Sequence, residues 1–190
     1  MKRAALLATL VVALCAGCVA PKGKTPEEKR ASAMQMRDEA LTQLYARRPK
    51  ARAEVESAPG YAVLDGFSIH PGLGTFASGY GVIVDNKTKE VTHQKFWRFG
   101  IGPGLAVKTY HVVAIFRDEE IVKKAAEGSW LFGLFAEASL KFGDFGGTIS
   151  GLTDFGSTNF YEWTTTGVAL ELIVLGTGKT RLDKELEASP

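Results

Sequence analysis

The pattern of apolar and polar positions divides the chain into three stretches with different periods. Ala4 to Gly17 carries no charge and is dominated by Ala, Leu and Val. A second stretch has apolar residues at helical spacing, with Met34, Leu41, Leu44 and Tyr45 forming a thin stripe. Thr25 is its N-cap, Pro26 opens the first turn, Glu27 and Glu28 follow, and Pro49 stops the helix near Arg47. A second short helix is expected over 50–57, before Ala58-Pro59-Gly60. From Tyr61 onward the period falls to two.

In this third stretch, 80–85 and 90–99 read as two strands around the turn Asp85-Asn86-Lys87-Thr88, and 105–116 as another. Asp118 caps a short helix whose buried face is Ile121, Val122, Ala125 and Ala126, with Gly128 beyond its end. Trp130, Phe132, Leu134, Ala136, Ala138, Leu140 and Phe142 share one face of a half-buried strand. A glycine-rich loop is expected over 143–156, two last strands over 158–166 and 167–175, and a charged tail over 181–190 that is a short helix or frayed. The fold class is therefore α+β: an N-terminal helix, then a curved antiparallel β-sheet with one inserted short helix.

With 190 residues and 45% hydrophobic composition, the chain has room for one domain of ordinary size and enough apolar surface to fold. Its net charge of +2 does not suggest a nucleic-acid partner. Lys2 and Arg3 before the uncharged run of Ala4 to Gly17 give a signal-peptide pattern, too short to cross a bilayer core. The run ends Leu14-Cys15-Ala16-Gly17-Cys18, which resembles the lipobox of bacterial lipoproteins, with Cys15 where Leu is usual. The resemblance implies cleavage before Cys18, a covalent lipid anchor on Cys18, and, with Val19 next, placement in the outer membrane facing the periplasm. Loss of Lys2 and Arg3 lowers the basic residues from 23 to 21, equal to the 21 acidic ones. Both cysteines lie in this segment, so thiol chemistry, disulfides and Cys-based zinc sites are not expected of the mature chain.

The remaining balanced charge is unevenly spread. Residues 22–56 carry nine basic and six acidic side chains, and residues 57–190 carry twelve and fifteen. The positive part lies next to Cys18. Its candidate membrane-contacting residues are Lys29, Arg30, Arg37, Arg47, Arg48, Lys50 and Arg52, each worth about 1 kcal/mol at most near an anionic surface. If the stripe packs on the sheet instead, this basic face is simply solvated.

The glycine positions give a further pattern: Gly60-Tyr61-Ala62-Val63, Gly79-Tyr80-Gly81-Val82, Gly100-Ile101-Gly102-Pro103-Gly104, Gly128-Ser129-Trp130, Gly146-Gly147, then Tyr161 and Gly167-Val168-Ala169-Leu170-Glu171. Over roughly 54–187 their order and spacing resemble the SYLF domain family of bacterial lipoproteins and eukaryotic membrane-trafficking proteins. Phe96-Trp97-Arg98-Phe99 replaces that family's Trp-Ser-x-Pro-like step, and its closing Tyr-Gly is absent. The resemblance implies binding of membrane phospholipid, anionic phospholipid included, in part through the basic segment on the N-terminal side of the domain. The domain plan is then signal peptide 1–17, lipidated tether 18–25, basic helical segment 26–57 and SYLF-like β-rich domain 58–190.

Catalytic motifs are weak. Gly176-Thr177-Gly178-Lys179-Thr180 has Ile173 where a phosphate loop needs glycine, and Gly72-Leu73-Gly74 precedes a strand rather than a helix. His70, His93 and His111 lack metal-ligand spacing, and no Gly-x-Ser-x-Gly elbow occurs. Glu119 and Glu120 fit the positive end of the inserted helix. No cofactor, metal or enzymatic activity is expected. The rival readings are a small outer-membrane β-barrel, which would share the alternation of 130–142, and an enzyme with an apolar pocket inside the sheet.

Overall fold

The computed structural model describes residues 20–142, 145–152 and 158–188. The signal segment and Cys18 lie outside the described residues. The elements run α1 (Pro26–Arg47), α2 (Ala51–Ser57), β1 (Gly60–Asp85), β2 (Val91–Phe116), α3 (Glu119–Ala126), β3 (Leu131–Phe142), β4 (Phe145–Leu152), β5 (Thr158–Leu182) and α4 (Lys184–Glu187). The strands form one antiparallel sheet in the order β1-β2-β5-β3-β4, with β1 and β4 at its edges. The class is α+β, as the period change predicts.

Four corrections concern strand length. The strand read over 80–85 is the end of one that runs from Gly60; 91–116 is one strand where the sequence suggests two, over 90–99 and 105–116; and 158–182 is one where it suggests 158–166 and 167–175. The expected glycine-rich loop over 143–156 contains β4. Glycine marks a chain break in a propensity reading, but here it marks a bend that the backbone ladder passes through. Gly176 to Thr180 lies within β5, so no phosphate loop forms there.

β1, β2 and β5 each bend near their middles, and register shifts fall at Gly72/Gly74 and Ile101/Gly104. The halves of each strand come to lie in two facing layers. One layer pairs 60–72 of β1 with 104–116 of β2 and the 158–171 part of β5. The other pairs 74–84 with 91–101 and 175–182. Gly79 and Gly81 show how closely the layers meet. A Cβ on Gly79 would lie 2.0 Å from the Asp65 carbonyl oxygen, and one on Gly81 would lie 2.2 Å from that of Val63. Only glycine allows β1 to pass across its own first half at this distance.

Between the layers lie Ala62, Leu64, Ala77, Ile83, Phe96, Tyr110, Val112, Ala114 and Phe116, closed at one end by Val122 and Ala125 of α3 and by Trp130. A second apolar cluster sits outside the sheet, where α1 and α2 cover Tyr61, Val63, Tyr80, Val82, Val84, Val113 and Ile115. The residues of α1 buried there are Ala33, Met36, Ala40 and Leu44. Leu44 belongs to the stripe read from sequence, while Met34, Leu41 and Tyr45 are only partly buried beside it. Three small or unbranched residues let the helix approach the sheet closely, and alanine barely registers in a hydrophobic pattern. Both clusters and the whole sheet fall within residues 20–188, so this segment carries its own core.

Candidate functional site

The interior of the bend holds charge. His70 Nδ1 is 2.8 Å from Glu171 Oε2, and His70 Nε2 is 2.8 Å from the Gly102 carbonyl oxygen. Both partners are acceptors, and each ring nitrogen lies within hydrogen-bond distance of one of them. Lys108 Nζ lies 2.6 Å from the other carboxylate oxygen of Glu171. All three side chains are buried. Beside them Arg98 Nη1 donates to Glu162 Oε2 at 2.8 Å, and Ser68 and Thr75 hydroxyls meet at 3.1 Å. The space left among Ser68, Thr75, Arg98, Lys108, Tyr110 and Glu162 is about that of one water molecule. These polar groups face one another rather than a substrate-sized cavity. Among the described residues no group of three or more His, Cys, Asp or Glu is placed to hold a metal ion.

The outer face of the same strands reverses the usual arrangement. On β5, Glu171 and Thr180 point inward, while Val168, Leu170, Leu172, Val174 and Leu175 are exposed. On β2, Phe99, Ile101, Leu105 and Val107 are exposed between the inward-facing Arg98 and Lys108, and on β1 so are Leu73 and Phe76. The exposure is large: 78% for Leu73, 69% for Leu105 and 67% for Ile101. Strand pairing makes these residues one surface, since Phe76 is opposite Phe99, Ile101 opposite Leu175, Leu105 opposite Leu170 and Val107 opposite Val168. A contiguous apolar patch of this kind is the mark of an interaction surface, whereas single exposed hydrophobics are ordinary. It wraps the bend, at the end of the sheet away from α1.

Next to the patch a groove is lined by Ala20, Phe76, Trp97, Phe99, Lys95 and Arg181. The Arg181 guanidinium lies 5.9 Å from the centre of the Trp97 ring, and the Phe76 and Phe99 rings are 5.2 Å apart. Lys95 Nζ is held 3.0 Å from Asp183. Ala20, which lines this groove, is two residues after Cys18 in the sequence.

The basic segment is largely used inside the molecule. Lys29 pairs with Glu185 and holds that carboxyl below its usual range. Arg30 donates to the Leu186 carbonyl at 2.8 Å, fastening α1 to α4. Arg37 pairs with Asp38 at 2.6 Å. Arg47 lies 5.4 Å from the Trp163 ring centre, and Arg52 lies 4.5 Å from that of Tyr45 with Glu56 at 3.7 Å. Arg48 and Lys50 are exposed. The sequence points to this segment by charge, but the unpartnered apolar surface is elsewhere. The signal for it was present in the alternation of 168–174, where Val, Leu, Leu and Val alternate with Ala, Glu and Ile. Periodicity does not say which face is inside, and the usual assumption that the apolar face is inside fails here.

No protein-family model matches the chain. Over 96 residues the chain is 35% identical to beta cell expansion factor A of Aeromonas veronii, a stretch covering 50% of this chain and 36% of that protein. The matched stretch thus spans about a third of the length of that curated relative.

Proposed function

We propose that this is a SYLF-like, non-catalytic domain that binds membrane lipid and is held in the bacterial outer membrane, facing the periplasm, by lipid on Cys18. The observation that carries the reading is the exposed apolar band across β1, β2 and β5, backed by buried charge on the inner face of the same strands. Water is a poor solvent for this band and a lipid tail region is a good one. Eleven large hydrophobic side chains are exposed among the described residues. At roughly 1 kcal/mol for each half-exposed side chain removed from water, the gross gain is on the order of 10 kcal/mol, enough to outweigh several kcal/mol of lost freedom on association. The lipobox-like sequence and the SYLF-like glycine spacing support the same reading.

Two measurements test it. Fatty-acid labelling in a bacterial host should mark the protein and be abolished by Cys18→Ser; undiminished label in the variant contradicts the anchor. The chain from residue 18 onward carrying Cys18→Ser retains every described residue, and it should float with phospholipid vesicles without any acyl chain. Failure to float contradicts lipid binding by the domain itself.

A further inference from the structure

The register of the sheet orders its outer face by polarity, and that order fixes how the domain would meet a bilayer. The rows across β1, β2 and β5 read Tyr80–Lys95–Arg181, Ser78–Trp97–Lys179, Phe76–Phe99–Thr177 and Gly74–Ile101–Leu175. Beyond the bend they read Pro71–Leu105–Leu170, Ile69–Val107–Val168 and Phe67–Thr109–Thr166. Cations come first, then tryptophan with a lysine, then phenylalanines, then aliphatics at the bend. The far side returns through aliphatics to threonines, whose hydroxyls meet at 2.6 Å from Thr109 to Thr165 and to Thr166. This is the order of environments from headgroup to acyl chain, with an aromatic ring at the boundary between them.

The length decides between spanning and half-insertion. From Trp97 to Ile101 is four residues, or about 13–14 Å of strand. One leaflet of hydrocarbon is about 15 Å thick, half of the whole core. The apolar rows on either side of the bend therefore match one leaflet and are too short for a bilayer. Resting on the lipid-binding reading above, we infer that the domain enters a single leaflet bend-first, with Trp97 at the interface and Lys179 and Arg181 forming a subsite for the phosphate of an anionic phospholipid.

Two independent placements agree with this pose. Ala20, two residues after Cys18 in the sequence, lines the groove together with Trp97 and Phe99, so an anchor on Cys18 would tether the domain from this side. The C-terminal part of α1 sits at the other end of the strands, where Arg47 lies 5.4 Å from the Trp163 ring centre. Trp163 faces His111, some seven residues of strand beyond Gly104, or roughly 23 Å from the bend.

Tryptophan quenching reads the pose directly. The chain from residue 18 onward with Cys18→Ser is bound to vesicles of phosphatidylcholine and phosphatidylglycerol carrying a spin label either just under the headgroup or at the chain end. The shallow label should quench more strongly than the deep one. Trp97→Phe should abolish most of the quenching, and Trp163→Phe should leave it unchanged. Lys179→Glu with Arg181→Glu should weaken binding to these vesicles on the order of tenfold and leave weaker binding to pure phosphatidylcholine unaltered. Quenching that survives Trp97→Phe and disappears in Trp163→Phe would place α1 on the bilayer and overturn the pose. So would vesicle binding with Trp97 unquenched by either label, which leaves lipid binding intact but not this orientation. A vesicle-independent dimer whose Trp97 emission is already shifted to the blue would assign the band to a second copy of the chain. Absence of vesicle binding by the unsubstituted protein would instead contradict the lipid-binding reading itself.

Discussion

Glu171 shows how single residues set both faces of the sheet. Its carboxylate serves His70 and Lys108 at once, inside a bend whose outer face is apolar. Glu171→Ala leaves two buried basic groups without their shared anion, and such a loss costs about 3–5 kcal/mol. The urea midpoint should fall accordingly, and a midpoint within error of the unsubstituted protein would show that the pair is solvated. Gly79 makes a second case. A Cβ at this position would lie 2.0 Å from the Asp65 carbonyl oxygen, so Gly79→Val and Gly81→Val should each cost more than about 2 kcal/mol. The need for glycine at both positions was legible in the spacing Gly-Tyr-Gly-Val. The buried Glu171–His70 pair was not, because its members are 101 positions apart and neither has a local partner that would mark it.

Elements follow their local signals closely where the signals are chemical. Thr25 caps α1 through the Glu28 amide, and the Glu28 side chain returns the bond, as Thr-x-x-Glu predicts. Asp118 caps α3 with its carboxylate, which accepts from the Glu120 amide at 2.8 Å. The turn between β1 and β2 is held by Asp85, whose carboxylate accepts from the amides of Thr88 and Lys87. These amides, Thr88 first, hold the Asp85 carboxyl below its ordinary range. Its folded-state pKa is therefore lower than the unfolded one. The stabilisation is complete above the ordinary carboxylate range and is lost as pH falls through the lowered folded value. Asp85→Ala should reduce stability at neutral pH and flatten the acid side of the stability curve, while an unchanged acid limb would argue against the turn bonds. Where the signal is hydrophobic pattern alone, the sequence was less legible. α1 is anchored by Leu44 and by alanines that carry little weight in such a pattern. Leu44→Ala should cost about 2–5 kcal/mol by leaving a cavity under the helix.

At the scale of the whole molecule, two surfaces compete for the membrane: the basic segment named by charge and the apolar band named by exposure. Charge was visible in the sequence because it is additive along the chain. The band was not, since it is assembled from three strands distant in sequence, and its outward orientation depends on which face the bend closes. Most of the basic side chains already hold α1 to α4 or lie over rings of the fold, whereas nothing among the described residues covers the band. The most direct test is vesicle partition of two charge-altered forms of the chain from residue 18 onward, both with Cys18→Ser. Leu105→Glu with Leu170→Glu places two carboxylates in the band at exposed, directly opposed sites, so stability should fall by no more than about 1 kcal/mol. Arg47, Arg48, Lys50 and Arg52 all changed to Glu reverse the basic segment. The first form should lose vesicle binding by at least a hundredfold, and the second should retain most of it. Loss in the second form with full binding in the first would contradict contact through the band and would return the lipid contact to the basic segment.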